Sequence, residues 1–250
     1  MRTLAVLPLV FAVACGDSGN TNIDAPGSNT PDASVDAPPS GPTFTISGNA
    51  VLRSTGDPVP LAGVVVAAYA NADETTPVAT TTSGADGHYE LKLPADKPLD
   101  GFLKATKAAA GGKTYVDTYL YPPTQLAADF SSASVFMVDT STFSLLKLLG
   151  DAVSGQGLVA LLVVDSLASV NVVEGATVTS DPAPPAGHTG YTVRGLPDRE
   201  GTATGDDGTA FLFALTPGAY TVTAAKAGLT FKTTSLKVRA DVFTTTLVTQ

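Results

Sequence analysis

Thr80-Thr81-Thr82-Ser83-Gly84-Ala85-Asp86-Gly87-His88-Tyr89-Glu90-Leu91-Lys92-Leu93-Pro94 decides the fold class. Asp86-Gly87 is the strongest short hairpin signal in the chain, because glycine accepts the positive φ that a tight turn requires. The same pattern returns at Thr202-Ala203-Thr204-Gly205-Asp206-Asp207-Gly208-Thr209-Ala210-Phe211-Leu212, with Asp207-Gly208 at the turn. Upstream of each copy stands a small-Gly-small-Val strand, Leu61 to Val66 in one case and Val173 to Val178 in the other. The chain contains a β-rich repeat.

Working outward from the first copy, Thr43 opens a strict alternation in which Phe44, Ile46, Ala50 and Leu52 point one way and Thr43, Thr45, Ser47 and Asn49 the other. Period two predicts a half-buried strand. Ser54 to Pro58 supplies a turn, and Leu61 to Tyr69 a more fully apolar strand. Further strands are predicted at Gly101 to Thr106, Lys113 to Tyr121 and Ser134 to Val138. Short strands at this spacing make a sandwich of about 95 residues, from Thr43 to Asp139.

Residues 140–156 break the β rhythm. Thr140, Ser141 or Thr142 can cap a helix, and Leu145, Leu146, Leu149 and Val153 fall at helical spacing on one face. The stripe suits a connecting helix packed on a neighbouring sandwich, or an amphipathic helix offered to a partner. From Gly157 to Asp165 the chain is continuously hydrophobic, which predicts a buried central strand. A second sandwich over 157–250 follows, closed by Thr216-Pro217-Gly218-Ala219-Tyr220 and the strand after it.

These shared motifs resemble the carboxypeptidase regulatory-like domain, a transthyretin-like (prealbumin-like) β-sandwich. The likeness covers residues 43–139 and 157–250. It implies an all-β chain of two tandem transthyretin-like sandwiches joined by a short helix. The first copy departs from the family at Ala108-Ala109-Ala110-Gly111-Gly112, and the second in a Pro- and Gly-rich insertion between Asp181 and Arg199.

The N-terminus reads as an address. Arg2, the apolar run Leu4 to Val13 and small Ala14 are the parts of an export signal over 1–14. The run falls short of the roughly 20 residues a transmembrane helix needs. Phe11-Ala12-Val13-Ala14-Cys15 resembles the lipobox of bacterial lipoproteins, which implies that Cys15 becomes the acylated N-terminus. Cys15 is the one cysteine in 250 residues, so an intrachain disulfide is impossible. Residues 15–42 carry Asp17, Asp24, Asp32 and Asp36 with five prolines and no basic residue. That composition predicts a disordered tether, with ends on the order of 30 Å apart if it is a flexible coil. Lipobox, tether and such domains together resemble envelope lipoproteins of soil-dwelling Gram-negative bacteria. Gly16 after the cysteine favours the outer membrane, by analogy with enteric lipoprotein sorting.

Charge and residue counts narrow the function. Removal of 1–14 takes away only Arg2 and leaves 13 basic and 23 acidic residues, a formal charge of −10. Phosphate backbones and anionic headgroups are poor partners for such a chain. Membrane attachment therefore rests on acyl chains. Catalytic zinc needs three protein ligands, and His88 and His188 are the only histidines. His188 beside Tyr191 is a faint echo of the two-Tyr, two-His iron site of intradiol dioxygenases, which share this sandwich, but the second His lies in the other half. Gly205-Asp206-Asp207-Gly208 is too short for a calcium loop, and Gly16-Asp17-Ser18-Gly19 has no scaffolded base. No cofactor and no enzymatic activity are expected. The best candidate surface is Tyr115, Asp117, Tyr119 and Tyr121, which share one face of an extended strand and could bind a glycan or an envelope protein by stacking. Packing against a neighbouring strand is the alternative.

Overall fold

A computed structural model describes residues 41–53, 58–193 and 196–250. The export signal, Cys15 and the tether through Ser40 lie outside them. The first half supplies β1 (Thr43–Leu52), β2 (Val59–Pro60), β3 (Val65–Ala70), β4 (Ala79–Thr82), β5 (His88–Pro94), β6 (Gly101–Thr106), β7 (Thr118–Tyr121) and β8 (Val135–Met137). Helix α1 (Thr140–Leu149) follows. The second half supplies β9 (Gly157–Val164), β10 (Thr177–Asp181), β11 (Thr189–Val193), β12 (Leu196–Asp198), β13 (Thr209–Leu215), β14 (Gly218–Lys226), β15 (Leu229–Thr230), β16 (Thr234–Val238) and β17 (Phe243–Thr249). The fold is all-β, with sandwich packing.

The same pairing scheme occurs twice. β1 is antiparallel to β5 and parallel to β8, and β9 is antiparallel to β13 and parallel to β17. β3, β6 and β7 form an antiparallel run, as do β10, β14 and β16. Parallel pairing of β17 with β7 then joins the halves, so one nine-stranded sheet runs β12-β11-β13-β9-β17-β7-β6-β3-β4. Its two faces serve different cores. Val66, Ala68, Leu103 and Leu120 meet Phe44, Ile46, Tyr89 and Leu91 of the small β1/β5 sheet, whereas Val159, Leu161, Ala210 and Leu212 meet Val222, Leu236 and Val238 of the β14/β16 sheet. β9 reads as a continuous apolar run because both its faces are covered, as its sequence predicts.

The repeat motif is realised as an interior hydrogen-bond lock made with equivalent bonds in both halves. Ser83 Oγ accepts from Val64 N at 3.0 Å and donates to Leu61 O at 2.7 Å. Thr204 Oγ1 accepts from Ala176 N at 2.9 Å and donates to Val173 O at 2.7 Å. In both copies the main chain adds a reciprocal pair, Ser83 N to Val64 O with Gly63 N to Ser83 O, and Thr204 N to Ala176 O with Gly175 N to Thr204 O. Asp86 Oδ1 accepts from His88 N at 3.0 Å, as Asp207 Oδ1 accepts from Thr209 N at 3.0 Å. These aspartates are therefore turn formers.

The Asp-Gly pairs do not close hairpins. β4 lies in the large sheet and β5 in the small one, so the turn at Asp86-Gly87 carries the chain from sheet to sheet. Gly87 (φ +79°) and Gly208 (φ +64°) take the left-handed region, and a Cβ there would meet Ala50 O at 2.5 Å and Val163 O at 2.9 Å. Close approach to the first strand of each half, more than hairpin twist, is what requires glycine.

α1 differs from expectation at its start. Asp139 is the cap, with its carboxylate accepting from Thr142 N at 2.8 Å and from the Ser141 hydroxyl at 2.7 Å. Phe143 and Leu146 pack on Leu158, Phe211 and Phe243 of the large sheet, as a connecting helix would. Leu145, Leu149 and Val153 stay exposed, at 40%, 39% and 64%. The insertion after Asp181 forms β11 and β12, which extend the large sheet beyond β13. Among the described residues, no helix is long and apolar enough to cross a membrane.

Candidate functional site

The predicted tyrosine face is not formed. Regular pairing begins only at Thr118, and every residue of β7 is buried. Tyr119 and Tyr121, 9% and 4% exposed, join the core beneath the β14/β16 sheet, while Tyr115 is half-buried against the opposite core. Asp117 pairs with Lys104 at 2.9 Å. The three tyrosines do not share a face because the irregular segment before β7 breaks the strand phase. β17 and β6 flank β7, so it is an interior strand of the large sheet.

What the structure assembles instead is a cation-aromatic-carboxylate junction. Phe102 lies 5.6 Å from the Tyr119 ring and 5.3 Å from the Tyr121 ring, centroid to centroid. The guanidinium of Arg239, just beyond β16, sits 4.1 Å from the Tyr119 centroid and 4.7 Å from that of Phe102. It donates to Tyr121 Oη at 2.8 Å and to Glu74 Oε2 at 2.9 Å, and Lys237 Nζ reaches Glu74 Oε1 at 2.8 Å. The Lys237 ammonium, and then Arg239 against partial burial, hold the Glu74 carboxyl below its ordinary range. Every charge here has a partner from the opposite half of the chain. That arrangement fastens the halves together rather than presenting a ligand site.

Histidines and carboxylates form local contacts. His88 Nε2 lies 3.5 Å from Glu90 Oε1 on an exposed strand face, and His188 Nδ1 is 3.0 Å from Ala186 O. Among the described residues, no three His, Cys, Asp or Glu side chains gather as a metal site.

Among the described residues, a groove of about 870 Å³ lies between β8 and α1. Its floor is the large sheet, with Leu120, Leu247, Thr245, Ala160 and Phe211 contributed by β7, β17, β9 and β13. Phe136 and Arg53 line one wall, and Leu145 and Leu149 of the helix the other. Volume and lining are in the range of small-molecule clefts. Val170, a β-branched residue at φ +50°, stands at its margin, a conformation that such side chains rarely adopt. Of the predicted helical stripe, Leu145, Leu146 and Leu149 line the groove and Val153 lies beyond the helix; the floor was not legible, because its residues come from four strands distant in the chain.

No family model matches the chain, and no curated protein matches it. Among solved structures, the Bacillus anthracis TIE protein is similar over 82% of this chain, at 15% identity and a TM-score of 0.27, and this chain spans 34% of its length. The shaft pilin SpaA from Lactobacillus rhamnosus GG is similar over 83% of this chain and 98% of its own, at 14% identity and a TM-score of 0.26. For GBS52, the minor pilin of Streptococcus agalactiae, the shares are 83% and 96%, at 11% identity and a TM-score of 0.27. Superpositions this loose assign neither a family nor a role.

Proposed function

We propose that the chain is a non-catalytic, lipid-anchored cell-envelope protein with a structural, adhesive or partner-binding role. In this reading acyl chains on Cys15 hold it in the outer membrane, and residues 16–42 hold two tandem transthyretin-like sandwiches of the carboxypeptidase regulatory-like type away from the lipid. The observation that carries the reading is the insertion of β17 between β9 and β7, parallel to both. It builds the last strand of the second sandwich into the sheet of the first, and the Arg239 junction fastens the same seam. Two modules joined in this way move as one body, which suits display and load-bearing more than a hinged active site. The twofold pairing scheme supports the tandem reading, and the lipobox supports the anchor.

Intact mass of the mature N-terminus, with membrane fractionation of wild type and Cys15→Ser, tests the anchor. Acylated Cys15 and release of Cys15→Ser to the soluble fraction are expected, and an unmodified Cys15 thiol in the mature protein would overturn it. Denaturant unfolding tests the single-body reading separately. One cooperative transition is expected, and two well-resolved transitions would sink that part alone.

A further inference from the structure

The groove between β8 and α1 sets one cation beside a largely apolar floor, with serine and threonine hydroxyls around it. Four adjacent strands about 4.8 Å apart give a floor on the order of 14 Å across, which an extended medium-length alkyl chain fills. Leu120, Leu247, Ala160 and Phe211 offer it apolar contact. Among the described residues that line the groove, Arg53 is the one cation and Asp207 the one carboxylate. Asp207 is engaged in its own turn through the Thr209 amide. The Arg53 guanidinium lies 5.6 Å from the Phe136 ring centroid, on the β8 wall. An arginine braced on an aromatic face presents a planar donor fork suited to a carboxylate. In a chain of strong net negative charge, one cation beside an apolar trough is charge complementarity toward an anionic head with a hydrophobic tail.

We infer that this groove binds a fatty-acid-class amphiphile, with its carboxylate at Arg53 and its alkyl chain along the floor between Phe136 and Leu149. The site is independent of the lipid anchor and of the Arg239 junction. Release of apolar surface from water supplies the affinity, and Arg53 supplies the preference for the ionised head. The helix wall contributes through Leu145 and Leu149, four residues apart on one face and two-fifths exposed.

The test is calorimetric titration of the full chain carrying Cys15→Ser, so that no detergent competes, with dodecanoate below its micellar concentration and with dodecanol as the uncharged probe. Saturable binding of one dodecanoate per chain is expected. Arg53→Gln should weaken dodecanoate about tenfold, equivalent to roughly 1.4 kcal/mol, and leave dodecanol unchanged. Leu149→Gln should weaken both probes, with circular dichroism confirming that the fold is kept. Absence of saturable dodecanoate binding overturns the proposal. So does equal dodecanoate affinity in the Arg53→Gln chain, or sedimentation showing that the face instead pairs two copies in a dimer that Leu149→Gln dissolves.

Discussion

Arg239 from the second half of the chain stacks 4.1 Å from the ring centroid of Tyr119 from the first, and the same guanidinium bonds Tyr121 and Glu74. The side chain is 17% exposed, so the contact is largely desolvated and worth more than a surface pair. Arg239→Ala should lower the free energy of unfolding by about 2–3 kcal/mol, since it removes the stack and leaves Glu74 with one partner. Arg239→Lys should recover only part of that, because an ammonium cannot stack and bridge at once. Urea denaturation measures both. A loss of about 0–1 kcal/mol in Arg239→Ala, as for exposed ion pairs, would mean that the junction does not fasten the halves.

Ser83 and Thr204 occupy equivalent places in the two interior locks, at 5% and 3% exposure. Removal of either hydroxyl leaves a buried amide, Val64 N or Ala176 N, without its acceptor. Ser83→Ala and Thr204→Ala should therefore each cost about 1–3 kcal/mol, and by similar amounts. Thr204→Ser keeps the hydroxyl and should cost clearly less than Thr204→Ala. Thermal melts of the three variants make the comparison, and unequal losses for the two alanine variants would show that the locks are alike in geometry but not in energy.

Locally encoded features were legible in the sequence, and features made by long-range pairing were not. β6 spans Gly101–Thr106 as its pattern predicts, β1 follows the alternation of Phe44, Ile46 and Ala50, and β9 is the buried central strand that its unbroken hydrophobicity implies. The repeat is also visible, because the lock joins two short motifs that recur in both copies, although its bonds span 19 to 31 residues. By contrast, an Asp-Gly turn has the same local chemistry whether the chain stays in its sheet or crosses to the next, so Asp86-Gly87 could not reveal which. Tyr119 and Tyr121 look like one free face of a strand until the β14/β16 sheet, about a hundred residues away, covers that face. The strand pattern ends the first sandwich at Asp139, whereas the Asp139 carboxylate begins the helix. The groove floor has no sequence signature at all, since no two of its strands are consecutive in the chain.

β17 has no apolar signature in the sequence, because Thr244, Thr245, Thr246 and Thr249 are polar, yet every residue of the strand is buried. Two of these hydroxyls are satisfied by β7, with Thr246 Oγ1 donating to Tyr121 O at 2.7 Å and Thr245 Oγ1 to Tyr119 O at 3.3 Å. Thr244 Oγ1 has no hydrogen-bond partner among the described residues. Burying an unsatisfied hydroxyl is costly, and valine has nearly the same shape. Thr244→Val should raise stability by about 1 kcal/mol, whereas Thr246→Val should lower it by a similar amount because Tyr121 O loses its donor. Opposite shifts in melting temperature are the expected result, and destabilisation by Thr244→Val would mean that its hydroxyl has a partner after all.

Asp139 couples the helix to acid stability. Burial alone would raise its pKa, but the Thr142 amide, the Ser141 hydroxyl and Lys113 outweigh that and hold the carboxyl well below the usual carboxylate range. Lys113 Nζ lies 3.1 Å from Asp139 Oδ2, whose side chain is 7% exposed. Because the folded-state pKa is the lower one, the stabilisation is fully present above the unfolded value near 3.9 and is lost as pH falls below it toward the folded value. Asp139→Asn keeps a good capping acceptor and removes the charge, whereas Asp139→Ala removes both. At neutral pH, Asp139→Ala should therefore cost about 1–2 kcal/mol and Asp139→Asn less. Urea midpoints measured downward from about pH 5 should show the gap between wild type and Asp139→Asn closing below about pH 4. A gap that stays constant through that range would mean that the carboxylate contributes nothing through its charge, and that the cap acts only as a hydrogen-bond acceptor.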